Sequence, residues 1–346
     1  MAKGEKVFVG LSGGVDSALS AALLIEQGYD VTGVFIKIWQ PAFTRCTWKE
    51  DRLAAMRVAV ALGIPFATLD LSDEYEREVI GRMQADYRAG RTPNPDALCN
   101  RFIKFGAFRR FAALHGADLV ATGHHAQIEK GSGRLLRGAD PGKDQAYFLW
   151  QLTRDDLLHA LMPIGGMTKQ AVREAARTRG IPVAERPDSQ GLCFVGDIDM
   201  HGFLSELLAP APGMVLDAAG AMIGTHDGAA LYTLGARHKF RITDPDAAPA
   251  PLYVIATDVS ANTITVAPSA TGAMRRDVAL LETNWCSGTA PQGGRYLAEV
   301  RYHQEPQGCT LEGSRVIFDL PQLAVPGQSL VLYDGAACLG GGIISA

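Results

Sequence analysis

Short apolar runs that alternate with amphipathic, helix-length segments over residues 6 to about 125 predict a doubly wound α/β domain with a parallel sheet. A glycine- and hydroxyl-rich turn directly after the first run places a ligand site at the carboxyl end of that strand. From about residue 205 the pattern changes to short β-rich runs cut by Gly, Asp and Asn, which predicts small antiparallel sheets or barrels. The expected fold class is therefore α/β, a doubly wound parallel-sheet domain followed by β-rich modules. A chain of 346 residues with 47% hydrophobic content can build two or three cores of ordinary size.

In chain order, Val7 to Gly10 reads as the first strand, followed by a helix that stops at Gly28. Val31 to Ile36 is the second strand, a helix lies near Arg52 to Leu62, and Phe66 to Leu71 is the third strand. Glu74 to Tyr87 reads as helical. A loop rich in Pro and Asn comes next, then a helix near Arg101 to His115 and the strand Asp118 to Thr122. Ala171, Val172, Ala175 and Ala176 mark another amphipathic helix, stopped by Gly180 and Pro182. Pro210 and Pro212 then break the chain. Beyond them Leu252 to Ile255, Thr263 to Val266, Tyr296 to Tyr302, Arg315 to Leu320 and Ser329 to Tyr333 read as strands, with turns at Asp227-Gly228 and Asp334-Gly335.

Composition narrows the class further. The first six residues lack an apolar export segment and no run approaches 18 apolar residues, so a cytoplasmic protein without membrane contact is expected. Six scattered cysteines and no CxxC pair argue against a disulfide scaffold and against a structural zinc site. The net charge of −4 gives no global pull toward nucleic acid. RNA binding would have to use local patches such as Arg101, Lys104, Arg109 and Arg110.

The residues best suited to chemistry are the turn Gly10-Leu11-Ser12-Gly13-Gly14-Val15-Asp16-Ser17 and two cysteines. Gly13 and Gly14 let backbone N–H groups approach an anion, Ser12 and Ser17 offer hydroxyls, and the helix start adds its positive end. Asp16 suits Mg²⁺ better than a bare phosphate. A plain strand-to-helix turn capped by Ser17 is the alternative. Cys99 is expected just before the helix near Arg101, where the dipole, Arg101 and Lys104 would favour its thiolate. A buried structural cysteine beside Leu98 and Phe102 is the rival reading. Cys193 lies in a polar, glycine-bearing segment and is expected to be accessible; Cys46, Cys286, Cys309 and Cys338 are read as structural.

The Ser12–Ser17 turn resembles the SGGxDS loop of N-type ATP pyrophosphatases, which cleave ATP between the α- and β-phosphates and transfer AMP to an acceptor oxygen. The order of motifs is more specific. Arg91-Thr92-Pro93-Asn94-Pro95, Leu98-Cys99-Asn100, Ile103-Lys104-Phe105 and Ala121-Thr122-Gly123-His124 resemble successive motifs of the bacterial tRNA-specific 2-thiouridylases. So do Lys143-Asp144-Gln145-Ala146-Tyr147-Phe148-Leu149, Gly191-Leu192-Cys193-Phe194, His226-Asp227-Gly228, Tyr232-Thr233-Leu234-Gly235, Arg301-Tyr302 and the closing Leu339-Gly340-Gly341-Gly342-Ile343-Ile344. The resemblance covers nearly the whole chain.

It implies adenylation of the C2 oxygen of the wobble uridine (position 34) of tRNA, followed by replacement of that oxygen with sulfur from a cysteine persulfide, with release of AMP and pyrophosphate. Cys193 would carry the persulfide, and Cys99 would either attack it to release sulfide or resolve the resulting disulfide. Asn94, Pro95 and Asp96 would flank the target base, with Asp96 as acid or base. Gly10 to Ser17, Ile36 and Gly123 would hold ATP. His124, Lys143, Asp144, Gln145, Arg301, Tyr302 and Gln328 would contact tRNA. ATP is the implied cosubstrate with Mg²⁺, and no zinc or iron–sulfur cluster is required. Implied partners are tRNAs of the Lys, Glu and Gln acceptors and a sulfur-relay protein or cysteine desulfurase; a monomer is expected.

With that resemblance the expected domains are residues 1–204 for adenylation and thiolation, 205–270 for a small β-rich central domain, and 271–346 for a tRNA-binding antiparallel β-barrel. Three departures stand out. Ile36 replaces the family's usual Met, Cys46 alone represents a Cys-rich stretch, and Ala236-Arg237-His238 stands where Gln-Arg is usual. Two rival readings exist: an ammonia-using ligase of the same ATP class, which has no use for two placed cysteines, and a nucleotide-dependent RNA-binding module without chemistry.

Overall fold

The period-two alternation of the first two strands is what builds a sheet with two covered faces. Val7, Val9, Val31 and Phe35 point into one buried cluster, and Phe8, Val34 and Ile36 into another on the opposite face. The computed structural model describes residues 4–41, 43, 48–187, 199–243 and 251–346. Cys193 and Cys46 lie outside the described residues.

The N-terminal part contains β1 (Lys6–Gly10), β2 (Asp30–Lys37), β3 (Phe66–Asp70), β4 (Leu119–Ala121), β5 (Ala126–Glu129), β6 (Arg134–Arg137) and β7 (Ala160–Leu161). Five of these form a parallel sheet in the order β3-β2-β1-β4-β7. The strand order turns around between β1 and β4, so the crevice for a ligand lies beyond their carboxyl ends. Helices α1 (Val15–Glu26) and α2 (Trp48–Leu62) share one apolar cluster with the helix Lys169–Thr178, whose Val172 and Ala176 are fully buried. Burying a valine of this kind contributes roughly 1.5–3 kcal/mol.

Two helix starts differ from expectation, and one of them bears on the chemistry. The helix expected from Arg101 begins at Pro95, with Asn94 as its cap and a wider π-helical stretch over Cys99–Ala107, and it continues to Leu114. Asn followed by Pro is a strong start signal, because the Asn94 carboxamide accepts from Ala97 N at 3.2 Å and Pro95 has no N–H to leave unpaired. The helix expected near Arg52 starts earlier, at Trp48.

The second sheet holds β8 (Gly213–Leu216), β9 (Met222–His226), β10 (Phe240–Ile242), β11 (Tyr253–Asp258) and β12 (Thr263–Ala267), in the order β10-β9-β8-β12-β11. It is antiparallel except for the parallel pair β8–β12. The last module is a closed antiparallel six-stranded barrel: β13 (Arg275–Trp285), β14 (Gly294–Glu299), β15 (Gln307–Glu312), β16 (Arg315–Gln322), β17 (Ser329–Asp334) and β18 (Ala337–Ile344). β13 pairs with both β16 and β18, which closes the ring around Leu280, Ala298, Val316, Phe318, Leu330 and Leu332. The strand expected over Tyr296 to Tyr302 ends at Glu299, so Arg301 and Tyr302 occupy the turn that follows.

One connection was not foreseen. The hairpin β5–β6 leaves the N-terminal sheet and pairs with the start of β18, Leu135 opposite Cys338 and Leu136 opposite Ala337. Among the described residues no helix is long and apolar enough to cross a membrane.

Candidate active site

The turn after β1 is shaped as a phosphate cradle. Leu11 N donates to Val34 O at 2.8 Å, which ends the strand, and Gly13 takes φ +80°, a conformation that L side chains rarely adopt. α1 starts at Val15 with Gly14 at its cap and no side-chain capping bond, so its first-turn amides keep their donor capacity. Ser17 therefore lies inside the first turn rather than capping it. Its hydroxyl reaches Ser12 Oγ, accepts from Ser12 N and donates to Gly14 O, all at 3.2 Å, and so fixes the turn.

Gly123 follows β4 and faces this turn across the switch point. A Cβ there would sit 2.6 Å from Ser17 N and 2.7 Å from the Asp16 carbonyl carbon, so only glycine fits. Ile36 lies near the end of β2, buried.

Asp16 is already engaged. Lys169 Nζ donates to both carboxylate oxygens at 2.7 Å, and His125 Nε2 lies 3.4 Å from Oδ1. Burial pushes the Asp16 carboxyl up, but the hydrogen bonds from His125 and Lys169 outweigh it and hold the group below its ordinary value. Arg186 donates to Gly13 O at 2.9 Å and pairs with Asp51, which brings a second cation to the cradle. Lys169 and Arg186 are not singled out by the sequence, whereas Gly123-His124-His125 is readable as a strand end on the ligand side. Lys169 had a usable signal, because Thr168-Lys169 opens the amphipathic helix recognised there.

Cys99 departs from its expected setting. It sits one turn inside the helix that starts at Pro95, has no exposed surface, and belongs to the same apolar cluster as Leu98, Ile103, Tyr147 and Trp150. The dipole argument made for a thiol at the helix start thus loses its footing, since that effect fades beyond the first turn. Cys286, Cys309 and Cys338 are buried, as expected of structural cysteines.

Asn94, Pro95 and Asp96 form the first turn of this helix, and the barrel holds them in place. Gln328 Nε2 donates to Thr92 O at 3.1 Å and Pro93 O at 3.0 Å, and Asn94 Nδ2 donates to Ser329 Oγ at 3.4 Å. Ser329 also accepts from Trp150 Nε1 at 2.9 Å and, through its carbonyl, from Tyr147 Oη at 2.8 Å. Gln328 thus grips the loop that precedes Cys99.

His124 is buried between Thr122 Oγ1 at 2.7 Å and Lys104 Nζ at 3.4 Å. Lys104 can only donate, so Nε2 accepts and the ring proton rests on Nδ1, which donates to Thr122. Burial, with Lys104 and His125 adding repulsion, pushes the His124 pKa well down and keeps the ring neutral.

Within the segment Lys143-Asp144-Gln145, Asp144 is buried against Arg137, Gly138 N and Ala146 N, and Gln145 Oε1 accepts from His125 N at 2.9 Å. Asp144 is therefore not presented to a ligand, contrary to expectation. Tyr302 packs on Phe148 with ring centroids 4.3 Å apart, and Arg301 is exposed beside it. Burial pushes the Tyr302 phenol up to about 12, with the carboxylates of Asp144, Asp96 and Glu299 adding to the shift. Tyr302 thereby lies within electrostatic reach of Asp96. In the basic patch, Arg109 is taken up by Asp155 at 2.5 Å and Asp156 at 2.7 Å, which leaves Arg101 and Arg110 as its exposed cations.

A doubly wound sheet with this cradle, joined to two β modules, defines a nucleotide-binding α/β enzyme of the ATP pyrophosphatase type. Residues 5–197 match the family model described as a tRNA methyl transferase HUP domain, 201–268 its PRC-barrel domain, and 275–344 an aminomethyltransferase beta-barrel domain. Proteins named tRNA-specific 2-thiouridylase MnmA are similar throughout. That of Stutzerimonas stutzeri is 43% identical over 98% of this chain and 94% of its own, and that of Thiobacillus denitrificans 43% over 98% and 99%. A Geobacillus kaustophilus relative, MnmA 2, is 42% identical over 98% and 94%. The chain belongs to the tRNA-specific 2-thiouridylase family.

Proposed function

We propose that this chain is an ATP-dependent tRNA-uridine 2-sulfurtransferase acting on the wobble uridine, position 34. The observation that carries the reading is the cradle itself: a φ-positive Gly13, uncapped helix amides and the Asp16–Lys169 pair, facing Gly123 across the sheet's switch point.

Gly10 to Ser17, with Ile36 and Gly123, hold ATP so that the C2 oxygen of uridine attacks the α-phosphorus and pyrophosphate leaves. Asp16 is the carboxylate that would hold Mg²⁺, which supplies neutralising charge to the phosphates. A single carboxylate completed by phosphate oxygens and water suits that ion. Lys169, now bound to both Asp16 oxygens, is placed to shift toward the phosphates when the carboxylate is taken. Asn94 to Asp96 flank the base, with Asp96 as acid or base. An anticodon loop offers its wobble base at little cost because that base is already unpaired. Cys193 carries the persulfide sulfur; Cys99 attacks the persulfide to release sulfide or resolves the disulfide that results. Sulfur adds at C2 and AMP leaves with the oxygen. His124, Lys143, Gln145, Arg301 and Tyr302 contact tRNA, with Asp144 shaping that surface from within. The sulfur comes from a relay protein or desulfurase, the acceptors are the Lys, Glu and Gln tRNAs, and the protein works as a monomer in the cytoplasm. The functional divisions are 1–204, 205–270 and 271–346.

The test is mass spectrometry of the wobble uridine after incubation with ATP, tRNA and a persulfide donor, with nucleotide products counted. Thiolated uridine with AMP and pyrophosphate is expected, and ADP would contradict the cradle's assignment. Cys99→Ser and Cys193→Ser should each abolish thiolation while ATP and tRNA still bind. Retained thiolation in either variant rejects the paired-thiol mechanism.

A further inference from the structure

Arg137, at the end of β6, touches one segment assigned to tRNA and the strand that leads into the other. Its Nη1 donates to Asp144 Oδ2 at 3.0 Å, and its Nη2 to Glu299 Oε1 at 2.6 Å. Its guanidinium lies 3.7 Å from the Tyr333 ring centroid, and Tyr333 Oη donates to Glu299 Oε2 at 3.3 Å, which closes the circuit. The backbone is pinned as well, Arg137 N donating to Ala336 O in the barrel at 2.8 Å.

Asp144 stands between Lys143 and Gln145, and Glu299 lies two residues before Arg301-Tyr302. One planar fork therefore ties the first segment to the end of β14, from which Arg301-Tyr302 follow, a task suited to Arg rather than Lys. The contact of Tyr302 with Phe148 at 4.3 Å and with Tyr147 at 6.0 Å completes the same junction independently.

Stability alone is a poor reason for this arrangement. Two buried carboxylates share one cation, and burial pushes the Glu299 carboxyl up despite the guanidinium. Well-packed apolar residues often replace such a group without loss of stability, so stability does not by itself account for it.

We propose that Arg137 is a positioning residue that locks the Lys143–Gln145 and Arg301–Tyr302 segments into a single tRNA-binding face. The inference rests on the tRNA reading above.

The experiment measures binding of an in vitro transcribed tRNA with a wobble uridine by fluorescence anisotropy over a range of salt, for wild type, Arg137→Lys and Arg137→Met. Arg137→Met should weaken binding about tenfold and flatten the salt dependence by about one phosphate contact. Arg137→Lys, able to serve one carboxylate at a time, should fall between, and ATP affinity should stay within about twofold in both. Lys143→Ala and Arg301→Ala should each weaken tRNA binding in the wild-type background and have little further effect beside Arg137→Met. A merely structural arginine would leave those effects additive, and additivity overturns the proposal. So does tRNA affinity within twofold of wild type in both Arg137 variants. If Arg137→Met does not fold, Arg137→Lys carries the same additivity test. A wild-type protein that binds the transcript no better than an unstructured RNA of equal length overturns the tRNA reading instead.

Discussion

The nucleotide cradle and the helix that carries Cys99 serve one proposed reaction, yet they are built in opposite ways. The cradle is polar and open on one side, held by hydroxyl contacts at 3.2 Å and by an ammonium on Asp16. The Cys99 helix is packed into an apolar cluster, with the thiol fully covered and Asn100 tied to Phe148 O at 3.0 Å. The first-turn amides of α1 carry no side-chain cap and remain available to an anion. A persulfide cannot meet the Cys99 thiol until neighbouring groups move. The contacts that shape the cradle are thus already in place, whereas the Cys99 thiol is fully covered.

Gly123→Ala strikes the cradle hardest. The added methyl would lie 2.6 Å from Ser17 N and force the cradle apart. Misplacement on this scale should cut ATP-dependent adenylation by about 100-fold or more. Affinity for tRNA should fall far less, because the Gln328 bonds that hold Thr92 and Pro93 do not involve Gly123. ATP and tRNA binding measured side by side check this; a variant with normal adenylation would show that the cradle does not require glycine here.

The covered thiol makes a different prediction. In a Cys193→Ser background, alkylation at Cys99, followed by peptide mass spectrometry, should be at least about 100-fold slower than in the denatured chain, since it must await local opening. Adding tRNA should accelerate it if the substrate uncovers the thiol. Alkylation of the free protein at the rate of an exposed thiol would remove the contrast between the two regions.

Those two regions were also unequally legible in the sequence. The cradle could be read because glycines, hydroxyls and a carboxylate fall within one turn after a short apolar strand, so local spacing determines its shape. Its partner Lys169 lies 153 positions from Asp16, a distance that no local pattern bridges. The Cys99 helix begins at Pro95 rather than near Arg101, because Asn94-Pro95, part of a Pro- and Asn-rich stretch, acts as a helix start. A start near Arg101 supports the activated-thiol reading of Cys99, whereas the structure matches its rival, a buried cysteine beside Leu98. The barrel strands were legible from alternation, but the β5–β6 hairpin that joins their sheet was not, since strand pairing across some 200 residues leaves no trace in either segment alone. Asp144 illustrates the same limit: its type suggests a surface contact, and only the fold reveals Arg137 beside it.

The smallest expected effect concerns His124, which stands on the strand end that faces the cradle and close to the Lys104 side of the thiol helix. Its folded pKa is depressed by burial and by Lys104, whereas the unfolded chain protonates near 6.5. Below that value the unfolded state binds a proton that the folded state refuses, so stability falls as pH drops from about 6.5 toward the folded pKa and is fully present above it. His226, also depressed by burial, acts in the same direction in the central sheet. Each histidine can contribute at most about 1.4 kcal/mol per pH unit within that window. Urea unfolding at several pH values should show this acid-side loss, and His124→Gln should reduce its slope while preserving a hydrogen-bonding group beside Thr122. A slope unchanged by that substitution would mean that His124 binds its proton alike in the folded and unfolded chain, which would overturn the buried neutral ring beside Lys104.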